Sequence, residues 1–230
     1  MLQIKENNNN NFLIGGVDEA GRGSIIGPLV IAGISVRKAR IPELRRIGVR
    51  DSKRLTPKAR AKLFLLLRDI ADFLCIHRID CTIVDDYVFL KKLNKLEAKA
   101  MANVIDNIHA DKVYVDSCDI DPLRYKRYIE SHLVSSSNLK LYSMHHADHL
   151  NVVVSAASII AKIIRDQEIQ EIRKAYHDVG SGYPSDKKTM QFIRVWVSRY
   201  KFAPQFARCS WRPLRDMLEE MAQHKVAQFG

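Results

Sequence analysis

The chain has no run of the roughly 18 apolar residues that a membrane-spanning helix requires. Its N-terminus, residues 1–11, is polar, carries five consecutive Asn and lacks the apolar core of an export signal. None of its four cysteines (Cys75, Cys81, Cys118, Cys209) stands in C-x-x-C spacing, so a zinc knuckle or a dithiol redox pair is not expected. These absences point to a cytoplasmic protein with reduced thiols. No internal repeat and no sustained heptad pattern is present, which excludes solenoids and coiled coils. Acidic residues are the scarcer charge, with 26 Asp and Glu against 37 Lys and Arg in 230 residues.

What is present fits one globular domain with an extension, or two small lobes, and a monomer. The net charge of +11 is unevenly spread. Residues 37–62 carry a net +9 and residues 162–215 a net +7, so the remainder is net negative. Two solvated basic faces would account for this. So would two flanks of a groove that holds a phosphate backbone.

Apolar periodicity predicts strands at Phe12–Asp18, Leu29–Val36, Phe73–Ile79, Lys112–Asp116 and Leu139–Met144. Thr56-Pro57 reads as a cap opening a helix to about Ile70, and helical pattern covers Asp85–Ile108. Asp121-Pro122 opens another helix. A long helix follows at Val152–Tyr176, with its apolar face at Val153, Ala156, Ala157, Ile160, Ile163 and Ile164. Gly180–Pro184 breaks it, and helices at Asp186–Tyr200 and Arg212–Gln223 end the chain. The pattern predicts an α/β core on a mixed sheet, residues 12–178, and a helical C-terminal lobe, residues 179–230.

Against that frame several carboxylates are out of place. Val17-Asp18-Glu19 puts two at the end of an apolar strand, and Val113-Tyr114-Val115-Asp116 puts a third at the end of another. Asp148 lies between a strand and the long helix. Sites in α/β sheets collect at strand ends. A lone Asp there is ordinarily a cap, but adjacent Asp18 and Glu19 repel unless a cation binds them. Oxygen ligands suit magnesium or manganese, and two such ions ~4 Å apart can activate water and stabilise the leaving oxygen of a phosphodiester. His145, His146 and His149 offer a zinc alternative, although residues adjacent in an extended strand face opposite ways.

Several segments resemble the signature blocks of the ribonuclease HII (type 2 ribonuclease H) family, in archaeal form. They are Asp18-Glu19-Ala20-Gly21-Arg22-Gly23, Asp51-Ser52-Lys53 with Leu55-Thr56, Val115-Asp116-Ser117, Ala147-Asp148 with Val154–Lys162, and Gly180–Asp186. The five blocks stand in family order and cover almost the whole chain. The resemblance implies a ribonuclease H-like mixed five-stranded sheet flanked by helices, with a helical C-terminal extension. It implies hydrolysis of the RNA strand of RNA–DNA hybrids, and nicking 5′ of ribonucleotides embedded in duplex DNA to leave 3′-hydroxyl and 5′-phosphate ends. By position it makes Asp18, Glu19, Asp116 and Asp148 the catalytic ligands of Mg2+ or Mn2+. Gly21, Arg22 and Gly23 would grip ribose and phosphate, Lys53 would contact phosphate, and Tyr183 would sense the RNA–DNA junction. The chemistry of these types agrees: glycine lets backbone approach a phosphate, Arg offers a fork for its oxygens, and a 2′-hydroxyl is the only mark of a ribonucleotide in DNA. His146 stands where the family often has Lys. Arg22 and the eleven residues before the first strand separate the chain from the ribonuclease HIII subtype.

Two other readings remain at this point: a nucleic-acid binder without activity, and a transposase- or integrase-like nuclease. Four carboxylates speak against the first; the Gly-Arg-Gly loop and the Tyr183 block speak against the second. The tail, Gln223 to Gly230, resembles in degenerate form the motif that docks replication enzymes on the sliding clamp. Val226 takes its aliphatic position and Phe229 its first aromatic one; Gly230 replaces the second aromatic.

Overall fold

The computed structural model describes residues 11–49, 56–134 and 138–229. Five strands form one mixed sheet: β1 (Leu13–Ala20), β2 (Leu29–Arg37), β3 (Phe73–Ile79), β4 (Lys112–Asp116) and β5 (Lys140–Met144), in the order β3-β2-β1-β4-β5. β4 lies parallel to β1 and to β5, with Val17 opposite Val115 and Asp116 opposite Met144. The expected strands all form. β2 is buried over all but its last residue, as its mostly apolar sequence requires, and the one buried hydroxyl, Ser35, donates to the Ile108 carbonyl.

The helices are α1 (Ile41–Arg46), α2 (Pro57–Ile70), α3 (Cys81–Phe89), α4 (Leu93–Asn107), α5 (Pro122–Glu130), α6 (Ala147–Leu150), α7 (Val152–Tyr176), α8 (Lys187–Tyr200) and α9 (Arg212–Phe229). Caps fix several starts. The Thr56 hydroxyl accepts from the Ala59 N–H, Asp121 from Leu123 and Arg124, and Asp186 from Lys188. The helical stretch expected over 85–108 is two helices. Lys91 is left-handed (φ 57) and the Lys92 N–H closes on the Tyr87 carbonyl, which ends α3 without the usual glycine. α9 runs six residues past Gln223, through a segment rich in good helix formers. Among the described residues no helix is long and apolar enough to cross a membrane.

The chain folds as two compact units, each discontinuous in sequence. The first takes in most of the sheet, α4 from Glu97 onward, and α7 as far as Ile163. Its packing depends on close backbone approach at Gly16, where a Cβ would lie 2.4 Å from the Val153 carbonyl carbon, so only glycine lets α7 rest on β1 there. The second unit joins residues 21–30, 78–96 and 164–230 around an apolar core that includes Ile25, Ile26, Ile169, Ile193, Val197 and Leu214.

Candidate active site

In the first unit, β1 and β4 run side by side, and β1 continues two residues past the level at which β4 ends. Because Val17 faces Val115, the next residues along the two strands are Asp18 and Asp116. Alternation puts Asp18 on the same face as Gly16, against which α7 packs. Asp18 is 5% exposed, and its carboxylate accepts from the Glu19 N–H at 2.8 Å. Its pKa is pushed up to about 7. Burial is the main cause and the charges of Asp116 and Asp148 add to it; the Ser158 hydroxyl and the Glu19 N–H oppose it. Burial also raises Asp116, with the charge of Asp148 adding; the Ala147 N–H, 2.8 Å from its Oδ1, and the charge of His146 act the other way.

Asp148 sits on α6, a single turn entered through His146 in a left-handed conformation (φ 55). The Ser155 hydroxyl, on the first turn of α7, donates to the Asp148 carbonyl and to the Asn151 carbonyl, tying α6 to α7. Glu19 is half-buried at the end of β1. The first unit buries another acid that sequence reasoning passed over. Glu97 is fully buried and accepts from the Cys118 thiol at 2.9 Å. Burial raises the Tyr125 hydroxyl well above its ordinary pKa, and Cys118, Glu97 and Glu19 push the same way.

Asp18, Asp116 and Asp148 therefore feel one another's charge. Among the described residues no three His, Cys, Asp or Glu side chains already converge on one point at ligating distance, so these carboxylates are near neighbours rather than a finished cage. Their donor chemistry, oxygen only and in excess negative charge, fits a hard divalent cation. The three-histidine zinc site does not form. The His145 ring meets the Ile120 carbonyl at 3.2 Å, and the His146 and His149 rings are 6.3 Å apart. None of the four cysteines, all among the described residues, is in a disulfide, and Cys81 is buried.

The second unit holds the Gly21–Gly23 loop and Tyr183. Gly21 needs to be glycine for the fold, since its φ is +85 and a Cβ would lie 2.7 Å from the Pro28 carbonyl. Gly23 does not: a Cβ there meets nothing within 4 Å. The Arg22 guanidinium donates to Asn94 Oδ1 at 2.7 Å. The backbone of this loop is braced from behind. Arg208 donates to the Arg22 carbonyl at 2.8 Å and to the Gly27 carbonyl at 3.0 Å, and the Trp211 indole donates to the Gly23 carbonyl at 3.3 Å. Asp85 in turn accepts from the Cys209 and Ser210 N–H groups. The Gly182 carbonyl accepts from both Ile25 and Ile26, so the loop and the Tyr183 turn share hydrogen bonds.

Arg165 and Arg208 belong to the basic segment 162–215, yet both are fully buried. That part of the segment's charge does not face a groove. Burial pulls the Arg208 guanidinium below the ordinary arginine pKa, and the like charge of Arg165 acts the same way. Lys53 lies outside the described residues, as does Gly230.

A family model described as ribonuclease HII matches residues 15–213. The chain belongs to the ribonuclease HII family. A ribonuclease HII of Cenarchaeum symbiosum is 47% identical over 204 residues, covering 89% of this chain and 97% of that one. A solved ribonuclease H2 from Pyrococcus horikoshii superposes with a TM-score of 0.86 at 38% identity, over 92% of this chain and 100% of the other. A ribonuclease HII of Archaeoglobus fulgidus, solved in complex with PCNA, superposes with a TM-score of 0.80 at 33% identity, over 87% and 96%. As a member of the ribonuclease HII family, the chain is an endoribonuclease that hydrolyses the RNA of RNA–DNA hybrids, on the ribonuclease H-like fold that the resemblance implied.

Proposed function

We propose that the chain also nicks duplex DNA on the 5′ side of a single embedded ribonucleotide, leaving a 3′-hydroxyl and a 5′-phosphate. Asp18, Glu19, Asp116 and Asp148 do the chemistry, and Gly21, Arg22, Gly23 and Tyr183 select the ribonucleotide. The observation that carries this reading is the register that sets Asp18 and Asp116 next to each other on neighbouring strands, with Asp148 close enough for its charge to act on both; oxygen donors in excess negative charge suit the divalent ions that ribonuclease H chemistry uses. Bound Mg2+ or Mn2+ supplies an activated water and a charge partner for the leaving oxygen. The chain's own part is to hold those oxygens. β1 and β4 fix Asp18 and Asp116 by register, Ser158 and the Ala147 N–H orient them, and α6 brings in Asp148.

Recognition falls to backbone and ring. Gly23 is open on the side where a Cβ would stand, which leaves its backbone free to meet a ribose 2′-hydroxyl or a phosphate. Arg22 offers a fork for phosphate oxygens, and Lys53 adds a further cation. Tyr183 stacks on the sugar at the RNA–DNA junction.

The tail adds a partner. The Archaeoglobus relative was solved with PCNA, and here the clamp-like residues Val226 and Phe229 are three apart in a segment whose backbone is helical. They would enter one apolar pocket on a sliding clamp, weakly for want of a second aromatic.

The test is a duplex with one ribonucleotide, incubated with Mg2+ or with chelator. A single Mg2+-dependent nick 5′ of the ribonucleotide, ending in a 3′-hydroxyl, is expected. Cleavage of a long hybrid without any nicking of this duplex would leave only hybrid hydrolysis standing.

A further inference from the structure

Arg165 is in a costly place. Along α7 it occupies the row Ala157, Ala161, Arg165, Ile169, whose other members are apolar and buried, and it is itself 1% exposed. Burying a guanidinium is costly unless its donors and charge are met. Its Nε makes no hydrogen bond, and the carboxylate that pairs with it, Asp166, is 3.3 Å away. An apolar side chain would fill the same row without that cost, so shape alone does not account for arginine here.

Its other hydrogen bond and its ring contact both fall on the Ser181–Tyr183 turn. One terminal nitrogen donates to the Ser181 carbonyl at 2.5 Å. The guanidinium carbon lies 4.4 Å from the centroid of the Tyr183 ring, a cation–π contact. At Gly21 a Cβ would come within 3.3 Å of Arg165 Cγ, and at Gly182 within 2.6 Å of its terminal nitrogen. The side chain thus runs along the Gly21 turn and ends against the Gly182–Tyr183 turn. The two turns are joined again where Gly182 accepts from Ile25 and Ile26.

We propose that Arg165 is a positioning residue for ribonucleotide selection: its guanidinium backs the Tyr183 ring and ties that ring to the Gly21–Gly23 loop, so that sugar and phosphate are read in one register. The proposal rests on the role given to Tyr183 above. Arg165 touches no substrate; it acts through the ring and through the Ser181 carbonyl. Arginine suits this better than lysine, because a planar fork can stack and donate at once.

The experiment compares wild type, Arg165→Lys, Tyr183→Ala and the double variant, each checked by thermal melting. Cleavage is followed on a single-ribonucleotide duplex and on a long RNA–DNA hybrid. Arg165→Lys keeps charge and stem and removes the flat face. It should lower cleavage at the single ribonucleotide by about tenfold, the hybrid less, and add nothing further once Tyr183 is Ala. Arg165→Gln, which keeps a donor for the Ser181 carbonyl, takes its place if the Lys variant does not fold. Equal losses on both substrates, or a loss that adds in full to that of Tyr183→Ala, would overturn the proposal and leave Tyr183's role intact. So would failure of both Arg165 variants to fold, which would make the residue purely structural. An unchanged substrate ratio in Tyr183→Ala would remove the role of Tyr183 itself, and with it that of Arg165.

Discussion

The two units hold the residues proposed to act by opposite means. In the first, Asp18 and Asp116 are set by strand register, and the charge they gather is negative and under-compensated. In the second, Gly21–Gly23 and Tyr183 sit on turns that buried cations brace from behind, through the Arg22, Gly27 and Ser181 carbonyls. A regular sheet positions side chains at its ends without further help. A loop must present backbone, and its carbonyls need donors that water cannot supply inside the fold. The contrast suggests a division of labour, with hydrolysis on the strand ends and selection on the braced turns.

Removing a proposed ligand should break the first half of that contrast most sharply. Because even residues behind a metal ligand cost 10–100-fold when lost, Asp116→Asn should lower cleavage of every substrate by more than about 100-fold. Duplex binding, measured by anisotropy, should stay near wild type. Turnover close to wild type would take Asp116 out of the mechanism.

Two glycine substitutions sharpen the comparison next. Gly23→Ala meets nothing in the fold, so its melting temperature should be unchanged while cleavage falls about tenfold, the cost of a displaced substrate backbone. Gly16→Ala places a methyl against the Val153 backbone and should cost about 1–3 kcal/mol of stability, read by denaturant melts. A destabilised Gly23→Ala with normal activity per folded molecule would reverse the assignment.

The acid cluster should also show in stability against pH. Asp18 ionises near pH 7 when folded against an ordinary 3.8, so the folded state holds its proton more tightly. That contribution is complete below about pH 3.8 and is lost as pH rises through about 7. Metal-free protein should therefore melt lower at pH 8 than at pH 6, by a few degrees. Excess Mg2+ should shrink the difference, because it binds the ionised form. No pH dependence between those values in chelator would mean that Asp18 is not held protonated.

How much of this was legible in the sequence follows the same divide. Asp18, Glu19 and Asp116 announce themselves as charges ending apolar strands, and α7 is readable from its apolar spacing alone. The braces are not. Arg165 and Arg208 count toward a basic segment and read as surface charge; only the place of Arg165 in the Ala157–Ala161–Ile169 row hinted otherwise. Asn94 and Glu97 carry no local signal, because what they touch is 72 and 21 residues away in sequence. The break between α3 and α4 was hidden for a related reason: Lys91 adopts a left-handed turn that glycine would have advertised. Lys53 falls outside the described residues, so its phosphate contact stays with the proposal above.

The division of labour can be tested directly by one quantity, the ratio of cleavage at a single embedded ribonucleotide to cleavage of a long hybrid, compared between Asp148→Glu and Tyr183→Ala. Asp148→Glu keeps a carboxylate but displaces it, so both rates should fall together and the ratio should stay constant. Tyr183→Ala should leave hybrid cleavage largely intact and lower the ratio by about tenfold or more. A ratio that moves with Asp148→Glu, or stays fixed in Tyr183→Ala, would contradict the separation of hydrolysis from selection.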